Sequence, residues 1–196
     1  MRRICFLVVV IVALAVACAG PFTPTLVDTG RQTTASISVE PQIAWTRLPV
    51  ALMPGTGSDG AIWTVDGPLL DQLRFYGGVR PGGTIGTAAR GQTLPVYRDG
   101  MSASELAELL IDTVAARGAS RVELSTLAPA AFGDVQGFRV DYRFRNADGL
   151  ELRGKAQGAV KGDRLYLIVF EAAADHYFGK LAPAVDRLMS SAQIVA

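Results

Sequence analysis

The chain has 196 residues, with 19 Lys and Arg against 18 Asp and Glu, one His and two Cys. That length holds one domain with a core of its own, without disulfide or metal staples. Near-neutral charge excludes the electrostatic footprint of a nucleic-acid binder, and no basic run forms a polybasic patch for anionic lipid. One histidine excludes a multi-histidine metal site. Both cysteines, Cys5 and Cys18, lie at the N-terminus, so no disulfide framework, Cys zinc site or thiol nucleophile belongs to the folded part.

Met1-Arg2-Arg3 is a short basic stretch, and Ile4 to Val16 is an almost unbroken apolar run of 13 residues. That is the apolar length of an export signal and short for a membrane span. It ends in Leu14-Ala15-Val16-Ala17-Cys18, which resembles the bacterial lipobox, although Ala15 stands where the pattern usually has Leu, Val or Ile. The resemblance implies that residues 1–17 are a signal peptide and that Cys18 is acylated with palmitate-like chains. Two or three chains anchor stably where one is marginal. Ala19 is not the Asp that marks inner-membrane retention in enterobacteria, which favours a periplasm-facing outer-membrane address. The alternative is an ordinary secretory signal cut after Ala15-Val16-Ala17, with Cys18 a free thiol.

Residues 18–35 are rich in Pro, Thr and Gly without a hydrophobic period, and read as a flexible tether. The domain is expected over 36–196. Ile37 and Val39 alternate with polar neighbours as a strand that Pro41 stops, and Gln42 to Leu48 reads as a second. Residues 54–60 form a loop, and Ala61 to Val65 a strand. Pro68 is placed to open a short helix through Leu73. Arg74 to Tyr76 fits a further strand. Residues 77–100 hold seven glycines and read as a long irregular loop, a class that is often functional.

Ser102 and Glu105 match a capping box, Leu106, Leu109, Leu110, Thr113 and Val114 share one helical face, and Gly118 fits the C-terminal cap. Arg121 to Leu127 reads as a strand closed by Pro129. Phe138, Val140, Tyr142 and Phe144 alternate with Arg139, Asp141, Arg143 and Arg145, giving a strand with one apolar and one charged face. A turn at 146–149 leads to a strand from Leu150 to Val160, with Gly154 and Gly158 facing inward. A second turn leads to Leu165–Phe170, an apolar strand covered on both faces. A helix follows from about Asp175 to Ser191, which Pro183 should kink or split. The order predicts an α+β fold: an antiparallel sheet, with a C-terminal three-strand meander, packed by helices.

Gly55-Thr56-Gly57-Ser58-Asp59-Gly60 spells a dinucleotide fingerprint, but a strand follows it where a helix N-terminus is needed to aim amides at a pyrophosphate. No cofactor motif is present. His176, beside Asp175 and five residues after Glu171, is the one imidazole available to a hydrolytic site. The cations Arg139, Arg143, Arg145, Arg153 and Lys155 share a sheet face with Asp141 and Glu151, and read either as a docking face or as solvated pairs. Trp45, Trp63, Phe75 and Tyr76 line a pocket or fill the core.

The early strand with Pro41 and Trp45, and the helix opened by Ser102 and Glu105, resemble the PsbP-like superfamily. So do the meander with Tyr142, Gly149, Gly154 and Tyr166 and the closing Leu188-Met189-Ser190-Ser191. That superfamily includes the DcrB and LpqN lipoproteins and the PsbP subunit of photosystem II. The glycine-rich loop at 77–100 departs from its pattern. The resemblance implies an α/β/α sandwich and a non-enzymatic envelope or adaptor role beside a larger protein partner, and it transfers no catalytic residue. The leading expectation is therefore a lipid-anchored binding or accessory module. Its rivals are a small-molecule or lipid carrier with a pocket behind 77–100 and an envelope hydrolase using His176.

Overall fold

A computed structural model describes residues 23–49 and 60–195. In chain order the elements are β1 (Thr25–Val27), β2 (Gln32–Thr34), β3 (Ile37–Val39), β4 (Trp45–Leu48), β5 (Gly60–Thr64) and β6 (Asp71–Val79). Helix α1 (Ala103–Ala116) precedes β7 (Ser120–Phe132), β8 (Val135–Arg145), β9 (Glu151–Lys161) and β10 (Arg164–Ala173). Helix α2 (Tyr177–Ser190) and β11 (Gln193–Ile194) close the chain. Eight strands form one sheet in the order β1-β4-β5-β6-β10-β9-β8-β7, and β11-β3-β2 form a small second sheet. Each pair of neighbours is antiparallel.

The alternation read in the second half sorts residues between two layers. Val140, Tyr142, Phe144, Leu165, Leu167 and Val169 pack beneath α1. Tyr166, Ile168 and Phe170 of the same β10 pack with Trp63 and Phe75 beneath α2 and the small sheet. The apolar run of β10 is thus covered on both faces, as expected for a central strand. Ser102 caps α1 with a complete capping box, and Gly118 follows with φ 93°.

Four sequence readings are corrected. The segment 18–35 is not all tether, because β1 joins the main sheet and β2 pairs with β3. Three-residue strands are recruited through their backbones and carry no readable period. The β2–β3 turn uses Ala35 and Ser36, both at positive φ (48° and 55°), instead of the Gly or Asn that would announce a hairpin. It docks on a glycine of β6: a Cβ on Gly77 would lie 1.7 Å from the Ala35 carbonyl oxygen.

No helix follows Pro68. The Leu70 and Asp71 amides both donate to the Gly67 carbonyl in a single turn. The Asp71 carboxylate pins that turn by accepting from the Val65 and Asp66 amides, each at 2.7 Å. β7 runs through Pro129, since it is the edge strand of the sheet among the described residues and no further strand there calls for its N–H. Helix α2 also runs unsplit through Pro183, whose ring faces the carbonyl of Gly179 on the exposed side.

The register defines two ends of the sheet. The lower end holds the β9–β10 turn and the exit of β6 at Val79, opposite Leu165. The upper end holds the β8–β9 turn and the β5–β6 turn. Ten steps along β9 separate them, about 33 Å at the rise of a strand.

Candidate functional site

Glu171 is the only charged residue in the apolar run from Leu165 to Ala174. It lies on the α1 face, and its side chain is 4% exposed. Oε1 accepts from Arg117 Nη1 at 3.0 Å and from the Tyr142 hydroxyl at 2.9 Å. Oε2 accepts from Arg117 Nη2 at 3.0 Å and Arg74 Nη1 at 2.6 Å. Arg74 also donates to Gln72, which donates on to the Pro68 carbonyl. The register explains the geometry. Tyr142, Gly154 and Glu171 stand side by side on three adjacent strands. Because Gly154 has no side chain, the Tyr142 ring lies across β9 and reaches Glu171; a Cβ on Gly154 would fall 2.1 Å from the ring.

Burial alone would raise the Glu171 pKa, but the two guanidinium groups and the Tyr142 hydroxyl hold it down at about 2. Burial, and then the Glu171 charge, push the Tyr142 hydroxyl well above its usual range. At neutral pH Glu171 is a carboxylate whose oxygens are saturated with donors. It has neither a proton to give nor a lone pair free to take one, so the cluster is built to hold β6, α1, β8 and β10 together. The sequence reading missed it because its members lie 29 to 97 positions from Glu171. One legible signal was available: a lone acid in an otherwise apolar central strand requires buried cations.

The five predicted cations are brought to the α2 face. Arg139 donates to Gln157 at 2.6 Å and pairs with Asp186 of α2 at 3.4 Å. Lys155 pairs with the same Asp186 at 2.6 Å and with Asp141 at 3.7 Å. Arg143 reaches Glu123 at 2.6 Å, and Arg145 reaches Glu151 at 2.5 Å. Arg153 lies over the Phe178 ring, 4.4 Å from its centroid. Arg139 and Lys155 are partly covered by α2, whereas Arg143, Arg145 and Arg153 are open at the upper end. Five cations face four anions here, Glu123, Asp141, Glu151 and Asp186, so the face is a mixed ladder with one positive charge in excess.

His176 precedes α2 and is exposed, its ring set edge-on to Tyr177 at 5.1 Å. Glu171 is committed on the opposite face of the sheet, so the structure does not bring those two together. Trp45, Trp63 and Phe75 are core on the α2 side, and Tyr76 packs on the α1 side. The glycine-rich segment leaves β6 at Val79 and closes over the sheet with its own Ile85 and Tyr97, both buried. Cys18 and most of the glycine pattern at 55–60 lie outside the described residues; Gly60 opens β5. Among the described residues no three His, Cys, Asp or Glu side chains are grouped to hold a metal, and no helix is long and apolar enough to cross a membrane.

No family model matches the chain, and no curated protein matches its sequence. Solved structures do match. The solution structure of cyanobacterial PsbP (CyanoP) from Synechocystis sp. PCC 6803 superposes with a TM-score of 0.57 at 15% identity, covering 91% of this chain and 96% of that one. A Bacteroides thetaiotaomicron protein gives 0.47 at 8% identity, over 86% of this chain and 49% of its own. LpqN of Mycobacterium tuberculosis, described as involved in cell envelope biogenesis, gives 0.40 at 9% identity, over 91% and 88%. The antiparallel sheet, the helix on each face and the CyanoP superposition together give the chain the PsbP-like fold.

Proposed function

We propose that this chain is a lipid-anchored envelope accessory protein that binds a protein partner and turns over no substrate. The observation that carries the reading is the run Leu14-Ala15-Val16-Ala17-Cys18 at the end of an apolar export segment. Acylated at Cys18, the protein faces the periplasm, with Ala19 favouring the outer membrane. Five residue steps separate Cys18 from Thr23, the first described residue, and they span at most about 18 Å. The domain is thus held close to the lipid.

The ladder on the α2 face supplies the docking surface. Its upper half presents Arg143, Arg145 and Arg153 in pairs that water already reaches, so a partner's carboxylates can replace Glu123 and Glu151 at little cost. The carrier and hydrolase readings find less support: Ile85 and Tyr97 fill the space under the loop, and His176 has no carboxylate hydrogen-bonded to it among the described residues.

The test is membrane fractionation and intact mass of the native protein beside Cys18→Ser, with in-cell crosslinking of both. The expected result is two or three acyl chains on Cys18 and one stoichiometric envelope partner, weakened in Cys18→Ser. A free Cys18 thiol would contradict the anchor. A substrate turned over by the purified protein would contradict the accessory role.

A further inference from the structure

The sequence contains no basic run, yet the fold assembles one at the lower end of the sheet. Arg80 leaves β6 there, and Lys161 and Arg164, opposite each other, flank the β9–β10 turn one step beyond Leu165, which stands opposite Val160 and Val79. Tyr97 and Gly83 exchange backbone contacts with the same corner, the Gly82 amide reaching the Tyr97 carbonyl at 2.8 Å and the Tyr97 amide the Gly83 carbonyl at 2.8 Å. That brings Arg98 beside Arg80. Burial, and then the charges of Asp99 and Asp163, push the Tyr97 hydroxyl up, so this strap lies within electrostatic reach of the β9–β10 turn. Arg80, Arg98 and Lys161 are exposed and, among the described residues, lie in no ion pair; Arg164 meets only its neighbour Asp163, at 3.9 Å. Four cations against Asp99, Asp163 and Glu105, whose carboxylate feels Arg98, leave one positive charge in excess.

We infer that this basic corner is the membrane-facing surface of the anchored protein, seated on anionic phospholipid headgroups. The inference rests on the acylation of Cys18 proposed above. Strand β1 runs from the lower toward the upper end, so the chain before Thr25 departs toward the lower end. Thr25 itself is level with Lys155, midway along the sheet, so the short link to Cys18 keeps the domain near the bilayer and supplies a high local concentration, while the basic corner, gaining from the negative surface potential, decides which end is seated there. Seated this way, the protein holds the upper half of the α2-face ladder away from the lipid.

The experiment uses the lipidated protein in vesicles. With Cys18 acylated and Cys5 removed, a single introduced thiol takes a fluorophore, at Thr84→Cys beside the corner or at Asp148→Cys in the β8–β9 turn. In vesicles containing phosphatidylglycerol, a lipid with a nitroxide headgroup is expected to quench the label at 84 at least about threefold more than the label at 148. Replacing Arg80, Arg98, Lys161 and Arg164 together by Gln, or the anionic lipid by phosphatidylcholine, should abolish the difference. Equal quenching at both positions in anionic vesicles overturns the inference, as does a difference that survives the fourfold replacement. Intact mass reads acylation separately. If Cys18 is unmodified, the anchor reading fails, and the same labels on a Cys18→Ser chain added to the same vesicles decide the basic corner by the same criterion.

Discussion

Glu171 and Asp186 each sit between two cations, on opposite faces of one sheet. Glu171 is 4% exposed and takes four donors from Arg74, Arg117 and Tyr142. Asp186 is 40% exposed and takes Arg139 and Lys155. Water cannot compensate the loss of a partner at the first site, and it can at the second. The difference assigns the α1-face cluster to holding the fold together and leaves the α2-face ladder open to exchange its internal pairs for a partner's charges. Conspicuous chemistry is therefore a poor guide to the proposed docking surface. The strongest charge cluster is the one least able to meet another molecule.

The largest effect should come from removing the buried acid. Glu171→Ala leaves Arg74 and Arg117 unpaired in the α1-side core and should cost about 3–5 kcal/mol, read by urea unfolding. A cost below 1 kcal/mol would mean that the cluster is hydrated and would dissolve the contrast. The same carboxylate predicts an acid limb. Its pKa in the folded protein, about 2, lies below the ordinary 4.5, so its contribution is complete above pH 4.5 and fades as the pH falls toward 2. The loss over that window amounts to about 3 kcal/mol, and Glu171→Gln should flatten it while Asp186→Asn should not.

Gly154→Ala pushes the Tyr142 ring off β9 and away from Glu171. A cost of about 1–3 kcal/mol, some 2–12 °C in Tm, is expected. Asp186→Ala should be the mildest, under about 1 kcal/mol, because solvent replaces the partner of Arg139 and Lys155. A larger cost would show that α2 depends on those pairs, and the ladder would then lose its freedom to exchange.

Much of the second half was legible in the sequence. β8 to β10 and α1 carry a period and end signals that water and the core both enforce. Phe138 to Phe144 must face one way once the other phase is Arg139 to Arg145, and Ser102 with Glu105 fixes where α1 starts. The first half was less legible. β1 and β2 are held by backbone pairing, the Ala35–Ser36 turn lacks turn residues, and the Pro68 turn is fixed by Asp71, which acts through its carboxylate from the start of β6. Of the candidate sites, the ladder cations could be placed on one face by alternation alone. Their pairing with Asp186 could not, because it depends on where α2 crosses the sheet. The lower basic corner escaped for the same reason: Arg80, Arg98, Lys161 and Arg164 come from three separate segments that only the folded sheet brings to one end.

The central claim is that the ladder meets a partner and the α1 face does not. It is tested most directly by site-specific photo-crosslinking in the intact envelope, from residue 143 on the ladder and from residue 112 on the exposed side of α1. The account predicts one protein adduct from position 143, diminished by Arg145→Glu and Arg153→Glu, and none from position 112. Equal adducts from both positions, or an adduct from 112 alone, would contradict it.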